Sequence, residues 1–327
     1  MSILFRLFAQ HLSPTGPRAR LTILIYHRVL AAPDNLQPDL LDTAAFDAEI
    51  RLIDSIFHIM PLAQALENLK AGCLSARSAC ITFDDGYADN LIHALPILQK
   101  YRMHATFFVA TDYLDGGRMF NDTVIEAVRL APAGKHDLRK FGLGCYALVS
   151  MDDRINAIRD MLSKVKYLPW SERSQRVAEI GRQLTDQPLP NDLMLTTEQL
   201  CVLHAAGMEI GAHTASHPIL ACVPDAAARD DILRGRQCLE RLLNTEIRLF
   251  AYPNGRPGTD YLSVHASMVR ELGFAGAVST ASGVAEYGTD SYQLPRFSPW
   301  SRNRTRAGLL LLRNLAQRHP QPALCSG

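Results

Sequence analysis

Two short segments carry side chains whose types and spacing could do chemistry. The first, Ile81-Thr82-Phe83-Asp84-Asp85-Gly86-Tyr87, runs an apolar stretch directly into adjacent carboxylates and a glycine turn. The second, Gly211-Ala212-His213-Thr214-Ala215-Ser216-His217-Pro218, sets two histidines four residues apart. Adjacent aspartates are ordinarily helix caps or solvated turn residues, and one His-x-x-x-His pair is by itself a weak metal signal. Two histidines and a carboxylate from separate segments, however, make a donor set that suits a divalent transition metal and leaves positions open for water and substrate. Pro218 disfavours helical backbone at His217, so a loop is expected there.

Both segments end apolar runs of strand length. Strands are predicted at Leu21–Tyr26, Ala79–Phe83, Ala105–Ala110, Met208–Ala212, Ile247–Ala251 and Phe274–Val278, each nearly continuous in apolar residues, as strands buried on both faces are. Helical periods fall between them. Phe46, Ile50, Ile53 and Phe57 share a face of a helix beginning near Thr43. Pro61 opens another that Gly72 would close, and a third runs from Thr196 to Ala206 before Gly207. Strands alternating with helices imply a parallel α/β sheet, open or closed into a barrel, whose active site sits at the C-terminal strand ends.

Residues 121–192 interrupt the alternation. Apart from Tyr146–Val149 they carry no convincing strand, but show helical stripes of Ile155, Ile158, Leu162 and Val165 and of Val177, Ile180 and Leu184. The chain is therefore expected to form one domain over 1–327, with 121–192 as a helical insertion beside the barrel. Gln187–Pro190 and the segment after His319 are expected to be a loop and a tail.

Bulk properties narrow the function classes. A hydrophobic content of 47% with 20% charged residues supports a sizeable core, and a net charge of +1 offers no electrostatic footprint for nucleic acid. Seven dispersed cysteines without a CxxC pair read as buried thiols in a reducing compartment. Met1–Leu12 is too short and too interrupted for a signal peptide, and no apolar run approaches a membrane span, so a soluble, cytoplasmic protein is expected. Ile3, Leu4, Leu7 and Phe8 lie on one helical face, and Ser301–His319 carries five arginines and no acid. Such helices could rest peripherally on the inner face of a membrane, but the favoured expectation is that both pack against the barrel.

Thr82-Phe83-Asp84-Asp85-Gly86 resembles the first motif of carbohydrate esterase family four, the NodB-type polysaccharide deacetylases. His213-Thr214-Ala215-Ser216-His217 resembles its second motif, and Phe250-Ala251-Tyr252-Pro253-Asn254-Gly255 its third. The order and spacing fit from Leu21 to about Pro299. The resemblance implies a distorted (β/α) barrel and removal of N-acetyl groups from an amino sugar in a glycan, such as a lipid-linked or polymeric intermediate of exopolysaccharide synthesis. It implies Asp85, His213 and His217 as ligands of zinc or another divalent transition metal, Asp84 as general base, and a backbone N–H near Asn254 as oxyanion donor.

Two departures from the family pattern matter. The third motif has Ala251 where an arginine normally positions the base, and the late stretch Leu294-Pro295-Arg296-Phe297-Ser298 lacks the usual acid histidine. The first strand instead ends Ile25-Tyr26-His27-Arg28, which is similar to a circularly permuted branch that includes deacetylases of biofilm poly-N-acetylglucosamine. That likeness implies His27 as general acid and Arg296 as replacement for the missing arginine. His11, His104, His136 and His265 have no such context. A sugar-binding barrel that lost turnover, or a hydrolase of a non-sugar amide or O-acetyl ester, are the competing functions.

Overall fold

The computed structural model describes residues 2–299, 301 and 303–317; the proposed tail after His319 lies outside them, as do Arg302 and Arg318. The parallel strands run in chain order: β1 (Arg20–Tyr26), β2 (Ser78–Phe83), β3 (Thr106–Val109), β4 (Glu209–Ala212), β5 (Leu249–Ala251), β6 (Gly276–Ser282) and β7 (Leu294–Arg296). Each pairs with the next, and Ala285–Glu286 pairs antiparallel with the start of β1. The residue after β7 returns to β1, where Ile25 N–H donates to Phe297 O (3.2 Å) and Phe297 N–H to Ile23 O (2.8 Å). The sheet is thus a nearly closed parallel barrel, as expected. It is distorted where His58–Ile59 pairs with the beginning of β2, leaving only Thr82 and Phe83 to pair with β3.

Helices α1 (Ser2–Leu12), α2 (Thr43–Ile56), α3 (Leu62–Lys70), α4 (Leu95–Lys100), α8 (Thr197–Ala205), α9 (Asp225–Leu243), α10 (Ser263–Glu271) and α11 (Arg304–Ala316) surround the barrel. Their ends follow local chemistry. Asp42 caps α2 by accepting from Ala45 N–H at 2.9 Å, Thr196 and Gln199 form a reciprocal cap on α8, and Gly72 and Gly207 turn the chain with positive φ. Phe46, Ile50 and Ile53 of α2 are fully buried against Tyr26 and Phe83, each contributing roughly 1.5–3 kcal/mol.

Segment 121–192 builds a separate apolar cluster from α5 (Phe120–Leu130), α6 (Met151–Val165) and α7 (Trp170–Leu184). Val177, Ile180 and Leu184 bury as read; on α6 the buried line is Ala157, Ile158, Met161 and Val165, with Ile155 and Leu162 at its edge. The segment also contains a small hairpin, Lys135–Asp137 with Cys145–Ala147; the strand candidate Tyr146–Val149 overlaps its second strand, whereas the three-residue first strand is too short to register in sequence.

One expectation needs correcting and a second needs refining. Of the described cysteines only Cys80, on β2, is buried; Cys73, Cys145 and Cys201 are exposed because they lie on a loop, on the outer face of the small hairpin and on the surface of α8. Helices α1 and α11 do pack against each other and α2, but through Phe5, Ala9 and Leu12, while Ile3, Leu4, Leu7 and Phe8 face outward. The eleven residues of α1 contain two apolar faces, and periodicity cannot say which is covered. Among the described residues no helix is long and apolar enough to cross a membrane.

Candidate active site and metal centre

Strand alternation decides which side chains enter the barrel. Tyr26, Ile81, Phe83, Phe107, Ala212 and Phe250 pack outward under the helices, whereas Ile23, Cys80, Phe108, Ala251 and Leu294 fill the lumen. Continuing the period of two puts His27 after β1, Asp84 after β2, His213 after β4 and Arg296 at the end of β7 on the lumen side. By the same rule Asp85 should point away. The backbone re-aims it: Asp85 has φ +77° and Gly86 φ +88°, and a Cβ on Gly86 would sit 2.9 Å from Val109 Cγ1.

The histidine segment is a loop, also left-handed at Thr214 (φ +63°) and His217 (φ +53°). Non-glycine residues adopt this region at a cost of about 1–2 kcal/mol each, so the surroundings must hold it. Helix α9 does so. Asp231 accepts from the N–H groups of Ala215 and Ser216 (both 2.9 Å) and from Ser216 Oγ (2.8 Å). Gly235 lets α9 approach so closely that any Cβ there would collide with the Thr214 carbonyl.

Three donor atoms converge as a result. His213 Nε2 and His217 Nε2 each lie 3.3 Å from Asp85 Oδ1, and all three residues are buried. His213 Nδ1 is 2.7 Å from Ala251 O, and since a carbonyl only accepts, Nδ1 carries the hydrogen. The neutral ring then presents a bare lone pair to a carboxylate oxygen, which is unfavourable without a cation between them. A proton can serve only one histidine. Burial would lower both imidazoles, but the facing carboxylates push His213 up, while His217 stays down. One divalent cation satisfies all three lone pairs at once, so the donor set fits zinc or a similar metal. Burial opposes ionisation of Asp85, yet the two imidazoles hold it well below the usual carboxylate range.

Asp84 stands beside this set without joining it. Arg296 Nη1 donates to Asp84 Oδ1 (2.7 Å) and Nη2 to Oδ2 (2.6 Å), and Arg296 Nε is anchored on Ser279 O (2.8 Å). Both side chains are buried. Burial raises the Asp84 carboxyl, but Arg296 outweighs it and holds the group below its ordinary value. Arg296 therefore reaches Asp84 from β7, while Ala251 on β5 gives the lumen only a methyl group.

His27, Asp84, Asp85, His213, His217 and Asn254 line one cavity of about 320 Å³. His27 is solvent-exposed, and Asn90 Nδ2 donates to its carbonyl (2.8 Å). Asn254 has φ +60°, its carbonyl accepts from Thr280 Oγ1 (2.9 Å), and its buried Nδ2 has no partner among the described residues. Phe120, Leu162 and Lys166 bring the helical segment into the opposite wall. His11 and His104 are exposed, and His265 is a buried structural residue that accepts from Leu262 N–H.

Sequence reasoning missed Asp231, Gly235, Asn90 and Lys166. Only the last had a usable signal, its place at the end of an amphipathic helix; the others act across tertiary contacts with no local mark.

Comparison with known proteins agrees with this geometry. The description "Polysaccharide deacetylase" matches residues 71–168 and 174–276, leaving His27 and Arg296 outside the matched span. The Bacillus subtilis protein YxkH, named for polysaccharide deacetylases, is 34% identical over 97 residues, which is 29% of this chain and 33% of YxkH. The fold is similar to that of the Streptococcus pyogenes deacetylase PplD, solved with acetate (TM-score 0.60, 18% identity, 91% of this chain and 98% of that one). It is also similar to that of IcaB from Ammonifex degensii (TM-score 0.58, 18% identity, 93% and 99%). With the motif residues brought together at the strand ends and the match spanning more than half its length, the chain belongs to the polysaccharide deacetylase family.

Proposed function

We propose that the protein is a metal-dependent hydrolase that removes the N-acetyl group from an amino sugar of a glycan. The observation that carries the reading is the meeting, in one cavity, of three lone-pair donors with a separate carboxylate clamped by Arg296. A divalent cation held by Asp85, His213 and His217 would polarise the acetyl carbonyl and acidify the attacking water. Asp84, kept ionised by Arg296, takes the proton of that water. Asn254, in the cavity lining with a positive φ, would offer its backbone N–H to the charge developing on the acetyl oxygen. His27, across the cavity, returns a proton to nitrogen as the C–N bond breaks, so amide and water become free amine and acetate.

Arg296 favours a working hydrolase over a barrel that only binds sugar, because the base keeps a guanidinium partner despite Ala251. Phe120 and Leu162 offer apolar surface to a sugar ring, and a cavity this size suits one or two rings. We further place the protein in the cytoplasm, on its dispersed free cysteines. The test is acetate release from N-acetylglucosamine oligomers by zinc-loaded protein. Release that disappears in Asp84→Asn is expected. Turnover of O-acetylated glycans alone would replace the reading with an esterase.

A further inference from the structure

Helix α1 has a covered face and an open one. Phe5 and Ala9 bury against α2 and α11, with the Phe5 ring seated on Gly308, where no side chain could fit. On the other side Ile3, Leu4, Leu7 and Phe8 remain 73%, 58%, 62% and 58% exposed. Their spacing aligns them as one ridge along the helix. On α11, the residue after Gly308 is Leu309, itself 56% exposed. A contiguous ridge of large apolar side chains on an otherwise polar surface marks an interaction site.

Charge selects the partner. Arg6 is exposed within the ridge helix, and Arg304, Arg306 and Arg313 are exposed on α11. Over their full lengths α1 and α11 carry these four arginines and no aspartate or glutamate, an asymmetry hidden by the net charge of +1. The two helices therefore present apolar side chains flanked by cations. A second copy seated on this ridge by two-fold symmetry would oppose arginines to arginines. A phosphate-bearing bilayer meets both features, since the ridge can enter the boundary between headgroups and acyl chains while guanidinium groups pair with phosphates. We propose that the α1–α11 face docks the protein on an anionic lipid surface. Because one face of α1 is buried against α2 and α11, the helix meets the bilayer with its open face only and lies along the interface. This docking is independent of the catalytic reading.

The experiment is co-sedimentation of the full chain with phosphatidylcholine vesicles containing or lacking phosphatidylglycerol. The protein should pellet with the anionic vesicles, more weakly with pure phosphatidylcholine, and less as salt rises. The double variant Leu7→Asp, Phe8→Asp should lose binding at least about tenfold, the scale expected for withdrawing buried apolar side chains. Arg304→Glu, Arg306→Glu should abolish the preference for phosphatidylglycerol. Because all four side chains are exposed, these variants should melt with the wild type. Wild-type protein left in the supernatant with anionic vesicles would overturn the proposal, as would unchanged pelleting of the Leu7, Phe8 variant. So would light scattering that shows a wild-type dimer dissociated by the same variant, because a second copy would then own the ridge.

Discussion

Arg296 and Asp84, 212 residues apart in the chain, close a two-pronged ion pair inside the barrel at 2.7 and 2.6 Å. A planar guanidinium can hold both carboxylate oxygens at once, which fixes the carboxylate plane as well as its charge. A lysine can supply only the charge. Arg296→Lys is therefore expected to fold but to lose about 10²-fold or more in kcat. Arg296→Met leaves a buried carboxylate unpaired and should cost roughly 3–5 kcal/mol of stability. The pH profile separates positioning from a merely structural role. Arg296 holds the Asp84 carboxyl down, so its removal should move the acidic limb of kcat to higher pH. The lysine variant keeps the charge and should lose kcat with little movement of the limb, whereas an unmoved limb in the methionine variant would contradict the hold of Arg296 on Asp84.

The metal set gives a second expectation. Protein loaded with zinc should hold one equivalent by elemental analysis, and the His213→Ala, His217→Ala double variant should hold none. Asp84→Asn should retain the metal while losing most turnover, because Asp84 is committed to Arg296 rather than to the donor set. Metal lost from Asp84→Asn would move Asp84 among the ligands.

Gly235 tests the support of the histidine loop. Gly235→Ala drives a methyl group into the Thr214 carbonyl, between the two histidines, and should lower the melting temperature and weaken zinc binding about tenfold or more. Gly181 on α7 is the control: a Cβ there meets Leu189 and Thr123 at an ordinary 3.7–3.8 Å. Gly181→Ala should be neutral or stabilise by about 0.4–1 kcal/mol. Equal behaviour of the two variants would remove the loop argument.

These cases show what was readable in the chain and what was not. Strands β1 to β5 announced themselves because burial on both faces leaves continuous apolar runs, and the motif residues sit directly after β1, β2, β4 and β5; β6 was marked only as far as Val278, because its continuation to Ser282 is polar and emerges from the core. Strand β7 spans only Leu294–Arg296 and contains Pro295, so sequence marked it by likeness rather than by pattern. Asp84 and the two histidines were visible locally. The hold of Asp231 on Ala215 and Ser216, or of Asn90 on His27, depends on which helix packs where, and a single sequence carries no record of that. The ridge of α1 was seen and the helix was expected to pack, but which face is covered could not be read, because Phe5 and Ala9 supply a second apolar face with the same period.

Glu49 predicts a pH dependence of stability. It is buried on α2, where desolvation pushes its carboxyl from 4.5 up to about 7, partly opposed by the hydrogen bond it accepts from the Tyr26 hydroxyl. The folded state thus binds the proton more tightly than the unfolded chain does. Stability from this group is complete below about pH 4 and lost as pH rises through 7, by up to roughly 3 kcal/mol. Asp122, also raised to about 7 by burial, adds the same slope. Glu49→Gln keeps a neutral group at all pH values. Its melting temperature should match the wild type near about pH 5 and exceed it by several degrees near about pH 8. An identical difference at both pH values would mean that Glu49 does not titrate on unfolding.

The most exposed expectation concerns His27 as the acid that releases the amine. An amide nitrogen leaves poorly as an anion, so breakdown of the tetrahedral intermediate requires a proton delivered to it. Histidine is the side chain that both holds and gives up a proton near neutral pH. His27 lines the same cavity as Asp84, Asp85, His213 and His217 but stands apart from the donor set, which leaves room for an acetamido group between them. Its backbone is held by Asn90, and the neighbouring Arg28 is paired with Asp89 at 2.8 Å, so the ring is carried on a fixed base. His27→Ala should bind zinc and melt like the wild type. Its kcat on an N-acetyl substrate should fall about 10²–10⁴-fold, the range of general acid catalysis. On an activated acetyl ester, whose leaving group departs without a proton, the loss should be much smaller. Comparable losses on both substrates would show that His27 shapes the cavity rather than moving a proton, and the acid would then have to be sought elsewhere around its rim.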